Sequence, residues 1–590
     1  MSQLQLKAKT AWALGFMSLF RVLKYRLSVR IGLNSVQKLT AQLPRGNFFS
    51  SPRPNEESGA TVTDIPNWFY NRFSHRQFKD THLPWYQIPD FDEQIGDIKG
   101  IWEISRMQWV LDFVVRERKQ QDGLALLELD CWLNDWCCNN PAYFGPNWKC
   151  GQEASIRVMH LIAAYLGLPN RADPQIQLLD LIHVHLQRIS PTIDYAIAQN
   201  NNHGTSEATA LYIGGVFLNH FRPSSQAKQW QDTGRYWLEN RAKCLIMADG
   251  GFSQYSVNYH RVMLDSYCLA EIVRRQFDNK TFSIRLQQQL QRATDWLHVL
   301  TQVHGNAPNL GANDGARLLV VSATDYADFR PSVQLASTLF VGHSYYQTAG
   351  TYDQVLVFFA LEKMQNQAFE LPSKQQFFQD SGLMTATIGP FFLAFKLPIF
   401  HFRPSQCDSL HLDVWWHGEN LLRDGGTYSY NSTLEDLDYF SGTASHNTVQ
   451  FDDHLQMPRL SRFLFGDWLK PKNLHYAKDH WRCGYQDAWG GQHEREIILT
   501  RHSIRVIDRV SDFKRQAILR WRLQPDHWVL TPDGVSNGQI MLQLERPQNA
   551  QMHLIQGEES RNYYQKNPLP VLEITVTQPT TIVTIIKDLT

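Results

Sequence analysis

"AQNNNHGTSEATALYIGG", residues 198–215, joins four consecutive polar side chains to a run of small and apolar residues. The run continues as "SEATALYIGGVFL" (206–218), with apolar residues at three- and four-residue spacing, and predicts a helix. Asn200, Asn201, Asn202 and His203 stand at its start. Asparagine is a good N-cap, but one cap needs one side chain. The stretch therefore predicts a helix whose N-terminal rim carries hydrogen-bonding groups for something besides its own backbone.

The same rhythm extends outward from about residue 95 to 345. "IWEISRMQWVLDFVVRE" (101–117), "EASIRVMHLIAAYLGL" (153–168), "QLLDLIHVHLQRI" (177–189), "HRVMLDSYCLAEIVRRQF" (260–277) and "RLQQQLQRATDWLHVLTQV" (285–303) all repeat it. Polar connections with Gly and Pro separate them, which predicts a helical array or toroid. After about residue 375 the pattern becomes β-branched, aromatic and alternating, as in "MTATIGPFFLAFKL" (384–397), "LHLDVWW" (410–416) and "REIILTRHSIRVIDRV" (495–510). That predicts an antiparallel β-sandwich running to the C-terminus. The chain thus reads as multidomain α+β: an N-terminal helical or extended segment over 1–60, an incomplete (α/α) toroid over 61–345, a linker over 346–375 and a sandwich over 376–590. A helix is expected inside the linker at "QVLVFFALEKM" (354–364).

With 590 residues, two or three domains are the starting expectation. Hydrophobic residues at 43% and charged residues at 19% are globular proportions and exclude wholesale disorder. Lys+Arg and Asp+Glu both number 57, so no global basic field draws nucleic acid. The eight cysteines show no CxxC pairs, which argues against both a zinc finger and a disulfide framework. "AWALGFMSLF" (11–20) is followed at once by "RVLKYRLSVR". It lacks a small-residue cleavage site and the roughly 20 apolar residues of a membrane span. Residues 9–40 read as an amphipathic helical segment that packs on the body or touches a membrane surface.

Four polar loops at helix ends stand out in the helical half. They hold Asn201–His203; Gln254, Tyr255, Tyr259, His260 and Arg261; Asn147, Trp148, Glu153 and Arg157; and Asn313, Asp314 and Arg317. Caps and interhelix hydrogen bonds explain any one of them. All four being structural is less expected, because in a toroid such ends converge on one rim of the cleft. In the β half, "HFRPSQCDSLHLDVWWHGENLLRDGGTYSYN" (401–431) and "FSGTASHNTVQFDDHLQM" (440–457) hold Gln406, Asp408, His411, Asp424, Tyr430, His446 and His454.

"DIKGIWEISR" (97–106), "FGPNWKCGQEASIRV" (144–158), "NNHGTSEA" (201–208), "DGGFSQYSVNYHR" (249–261), "LLRDGGTYSYN" (421–431) and "SHNTVQFDDHLQM" (445–457), in this order, resemble the heparinase II/III-like polysaccharide lyases. The resemblance covers most of the chain and implies the toroid and sandwich already read from the two rhythms. It implies β-elimination on an anionic, uronate-containing polysaccharide. Asn202 and His203 would then neutralise the uronate carboxylate, with Tyr259 as base or acid. A second tyrosine would come from the β half, Tyr430 being preferred to Tyr439. Asn201, Trp148, Glu153, Arg157, Gln254, His260, Arg261 and Asn313 would line the substrate. No cofactor is required for such chemistry.

The family's His-x-His-Ala-Asp stretch reads "PSQCD" (404–408) here. Pro404 stands where one histidine is usual and Gln406 where a zinc ligand is usual. The remaining expected ligands of a structural zinc are Asp424 and His446, and Asp408 or His411 would complete the site if a zinc is tightly held. Two other functions compete with the lyase. One is a glycoside hydrolase using Glu153, Asp249 and Asp314. The other is a catalytically weak glycan-binding protein of exopolysaccharide assembly. The resemblance points to the cell envelope or periplasm, and the absence of a cleavable signal to the cytoplasm.

Overall fold

The computed structural model describes residues 3–50, 65–89, 92–121, 123–366, 368–545, 547 and 549–590. The end of the expected 1–60 segment lies outside the described residues. Helices follow one another up to Gln354–Phe358, and the strands from Gln376 onward pair into antiparallel sheets. The fold is a helical toroid followed by a β-sandwich. The N-terminal segment holds two helices, Gln3–Leu14 and Phe16–Arg30, broken at Gly15 with φ 85°. The linker helix stops at Phe358, six residues short of the expected 364, because Ala360 turns left-handed at φ 53°.

The helix Asn202–Phe221 is the hub. It is buried nearly all round and packs against Gly151–Gly167, Ser225–Leu245 and Val257–Phe277. A helix apolar on every side has to be enclosed in this way. Glycine sets how close the neighbours come. A Cβ on Gly215 would lie 2.3 Å from the backbone N of Gln231, and one on Gly234 would lie 2.2 Å from that of Tyr212. Only hydrogen fits there, so the "YIGG" ending of the opening stretch fixes the spacing of two helices.

In the sandwich, strands Gln492–Thr500 and Ser503–Ser511 pair from Gln492–Ser511 to Thr500–Ser503, with burial alternating along both. That alternation turns Ile497, Leu499, Ile504 and Val506 into the sandwich core. The first sheet, Gln376–Leu422, contributes Leu383, Phe392, Ala394 and Trp415 to the helical core instead, so the two halves share apolar contacts.

Polar bonds fix the halves together. The Asp249 carboxylate accepts from the backbone N of Asp380 (2.8 Å) and Ser381 (2.7 Å) in the sheet domain. Asp97 accepts from Ser429 Oγ at 3.0 Å and from the Tyr563 hydroxyl. Lys374 Nζ donates to the carbonyls of His298, Val299 and Thr301, which end the helix Ile284–Leu300. Among the described residues no helix is long and apolar enough to cross a membrane.

Candidate active site

The two halves meet at a pair of phenols. Tyr259 Oη and Tyr430 Oη are 2.7 Å apart, one from each half. Tyr259 sits in the first turn of the helix Val257–Phe277, whose N-cap Ser256 accepts from the Tyr259 backbone N at 3.1 Å. Tyr430 lies outside regular structure. Its backbone N donates to Tyr563 Oη at 2.7 Å, and its carbonyl accepts from Arg462 at 2.8 Å. Tyr439 is elsewhere, its hydroxyl accepting from the backbone N of Glu558. Burial, then the Asp314 carboxylate, push both active-cleft phenols well above their ordinary value. Both are therefore protonated at rest.

The polar run of the opening stretch divides its labour. Asn201 is the cap of the helix, its Oδ1 accepting from the His203 backbone N at 3.1 Å. Asn200 reaches Ser18 and Arg241. Asn202 is anchored by Gln254 Oε1 on its backbone N (2.8 Å) and donates through Nδ2 to Gln152 Oε1 (3.0 Å). His203 alone of the three helix-start residues is half-buried rather than buried. Burial pushes its imidazole below the usual range, while Glu207, Glu153 and Asp314 pull the other way. Glu207, one turn along the same helix, is itself pushed up to about 8 by burial.

Around the phenols and His203 the charges are paired. Arg106 grips both oxygens of Glu153, at 2.7 and 2.8 Å, and lies 3.8 Å from Asp314. Arg403 feels Tyr195, Tyr259 and Tyr430 electrostatically, and His203 feels Arg403. The segment leading to Arg403 is pinned by Tyr255, whose hydroxyl accepts from the backbone N of His401 (2.7 Å) and Phe402 (3.1 Å). Arg403, Gln152 and Glu207 are absent from the sequence expectations. Gln152 and Glu207 lie inside the quoted motifs, and an i, i+4 histidine–glutamate pair was a readable signal for Glu207.

Several residues expected to line the substrate are enclosed by their neighbours in this structure. Trp148, Arg157 and His260 are fully buried. The Arg157 guanidinium lies 5.1 and 5.2 Å from the rings of Trp136 and Trp148, and donates to His185. His260 stacks on Trp296 and bonds the Ala293 carbonyl. Arg261 is also enclosed, between Tyr326 and Phe329, and holds Asn258 Oδ1 at 2.7 Å. Asn313 receives the Tyr326 hydroxyl and donates its backbone N to Thr427, cross-linking the halves. Glu153 is committed to Arg106. Gln254 is half-exposed beside Asn202.

The expected ligand set is corrected. Gln406 donates to the carbonyl of Gly426 at 3.1 Å, and the residue that joins Asp424 and His446 is His411. Asp424 Oδ2 is 2.9 Å from His446 Nδ1 and 3.7 Å from His411 Nε2. Burial opposes the Asp424 charge, but the hydrogen-bonded His446 outweighs it and holds the carboxyl below the carboxylate range. His411 Nδ1 accepts from the Asn447 backbone N at 2.9 Å. A neutral imidazole has one lone pair, and here it faces that N–H, so Nε2 carries the proton. A metal-bound histidine has the opposite arrangement, donating with its distal nitrogen. The residues as arranged do not fit a zinc ion, and no chemistry is assigned to one.

Two family models match the chain, Heparinase II/III N-terminus over residues 60–332 and Heparinase II/III-like, C-terminal over residues 370–575. Among solved structures, heparinase III is similar at a TM-score of 0.63 and 14% identity, over 100% of this chain and 94% of that one. A mutant of the heparan sulfate lyase HepC from Pedobacter heparinus gives 0.57 and 17%, over 90% and 85%. A mutant chondroitin AC lyase from Streptomyces coelicolor A3 gives 0.51 and 10%, over 91% and 80%. At these identities the likeness is one of fold. No curated protein matches the sequence.

Proposed function

Because the chain belongs to the heparinase II/III-like family of polysaccharide lyases, we propose that it cleaves a uronic-acid-containing glycan by β-elimination in the Tyr259–Tyr430 cleft. The observation that carries this reading is the 2.7 Å contact between the two hydroxyls, one from each half, beside a half-buried histidine. In the reaction a base removes the C5 proton, the electron pair forms C4=C5, the C4–O4 bond breaks and an acid protonates O4. Both phenols are held protonated, which suits Tyr259 to be the acid, with Tyr430 able to pass it a proton along the same hydrogen bond. His203 is held neutral at neutral pH, which suits it to be the base.

Removing the C5 proton builds a second negative charge on the carboxylate, and donors aimed there lower the barrier. Asn202, oriented by Gln152 and Gln254, and the Arg403 guanidinium are the groups we assign to it. His203 thereby moves from carboxylate binding to proton abstraction, since a neutral imidazole offers a lone pair rather than a charge. The same Arg403 favours a phenolate at Tyr259, and that supports the second reading, Tyr259 as base and acid in turn. The hydrolase reading loses its carboxylates: Asp249 is engaged by the sheet domain, and Glu153 and Asp314 face Arg106.

Purified protein tested against a panel of uronate polymers should generate the ultraviolet absorbance of the C4=C5 double bond. Products with water added across the cleaved bond would instead make it a hydrolase, and no cleavage of any polymer would favour a binding role.

A further inference from the structure

The two N-terminal helices carry a surface unlike the rest of the chain. Phe16–Arg30 meets the body through one face. Tyr25 stacks on Tyr195 at 4.0 Å, Ser18 Oγ accepts from Asn200 at 3.2 Å, and Arg21 lies over Trp237. At about 100° per residue, Phe16, Phe20, Leu23 and Leu27 fall within an arc of about 60° on the opposite face. All four are exposed, Phe16 by 89% and Leu23 by 66%. On Gln3–Leu14, Leu4 and Trp12 are exposed too, Trp12 by 86%. Soluble monomers rarely leave an apolar stripe of this kind open to water.

The charges around the stripe are of one sign. Exposed Lys24 and Arg26 flank it on its two sides, and exposed Arg30 lies at its end. Lys7 and Lys38 are exposed as well. The first acidic residue of the chain is Glu56, although Lys+Arg and Asp+Glu balance at 57 each overall. The first helix is seated on the β half, with Lys9 paired to Asp467 and Leu6 against Gly466, so the pair spans both halves.

We propose that these two helices dock on a lipid bilayer whose surface carries anionic headgroups. The Phe–Leu stripe and Trp12 enter the boundary between headgroups and acyl chains, and the flanking cations meet the headgroup phosphates. A protein partner would call for mixed charge and shaped pockets; a stripe edged only by Lys and Arg matches an anionic plane. The contact is peripheral. Through Ser18 and Asn200 the docked helix is bonded to the turn that leads into the helix start at Asn202 and His203, so the lipid surface lies behind the cleft rim. The proposal is independent of the reaction assigned to the cleft.

Cosedimentation of the full chain with phosphatidylcholine vesicles, with and without phosphatidylglycerol, tests it. Binding is expected on the anionic vesicles only and should weaken with salt. Replacing Phe16, Phe20, Leu23 and Leu27 together by Ser should abolish it. The triple reversal Lys24→Glu, Arg26→Glu, Arg30→Glu should weaken it about tenfold or more. Both variants should keep the wild-type melting temperature, since none of these side chains faces the core. Absence of binding, equal binding to neutral vesicles, or binding retained by the four-serine variant would each overturn the proposal. So would a wild-type dimer that the four-serine variant converts to monomer, because a second copy would then be what covers the stripe.

Discussion

Tyr259 and Tyr430 touch, yet they are held in opposite ways. Tyr259 is carried on a 21-residue helix, in a first turn fixed by the Ser256 cap. Tyr430 is carried on a loop whose position comes from other residues: Tyr563 on its N–H, Arg462 on its carbonyl, and Asp97 behind Ser429 and Tyr563. One phenol inherits its place from local secondary structure. The other inherits it from long-range bonds within the β half, which are tied to the helical half through Asp97. The active pair is only as well aligned as the second set of bonds.

The largest effect expected is at the first phenol and the histidine. Tyr259→Phe and His203→Ala should each lower kcat by about 10²–10⁴-fold while the melting temperature stays near wild type. Wild-type turnover in Tyr259→Phe would remove that residue from the mechanism, and a mere loss of melting temperature in His203→Ala would return the polar run to capping alone. The pH profile separates the two assignments of the base. With His203 as base, its lowered pKa means the imidazole protonates only below about 6.5, so activity should fall on acidification below that range and be level through neutrality. A rate still climbing toward pH 10 would make Tyr259 the base.

A smaller effect should follow from loosening the loop-borne phenol. Tyr563→Phe removes the bond to the Tyr430 backbone and should lower kcat by up to about 10²-fold through misplacement, with substrate affinity little changed. The matching change on the helix side, Ser256→Ala, should cost about 1 kcal/mol of stability and leave turnover per folded molecule intact. Equal kinetic losses from both would erase the contrast drawn between the two tyrosines. The smallest effect is at Gln406. Gln406→Ala removes a buried bond to Gly426 and should lower stability by about 0.5–1.5 kcal/mol, seen as a shifted denaturation midpoint. The wild-type protein should hold zinc substoichiometrically by elemental analysis; one tightly bound zinc per chain would mean that the His411 ring is turned from the arrangement described.

The division into a helical half and a β half was legible from periodicity alone, because burial imposes a different repeat on helices and strands. The cleft was legible in part. The resemblance supplied Asn202, His203, Tyr259 and Tyr430 as candidates, and the two tyrosines do meet. The enclosure of Trp148, Arg157 and His260 was not legible, because a polar or aromatic residue at a helix end looks the same whether it faces a cleft or another helix. Arg157 shows the difficulty: its charge reads as a ligand group in sequence, and two tryptophan rings enclose it in space. Arg403 was missed for the converse reason, since its importance comes from phenols distant in the chain. Gln406 was read by alignment to a histidine, and of the two alternatives in the sequence, Asp408 and His411, the structure brings His411 to Asp424 and His446.

The glycines of the hub helix have a consequence for how this cleft can change over evolution. Gly215 faces the backbone of the next helix, and His203 stands on the same rod, about 18 Å away at 1.5 Å per residue. A methyl group at Gly215 would act as a wedge on a lever arm, tilting the histidine relative to the phenols without touching a polar atom. In the proposed mechanism the alignment of His203 with the phenols is set partly by a position that bears no functional group, so a search for rate-altering substitutions confined to the cleft lining would overlook it.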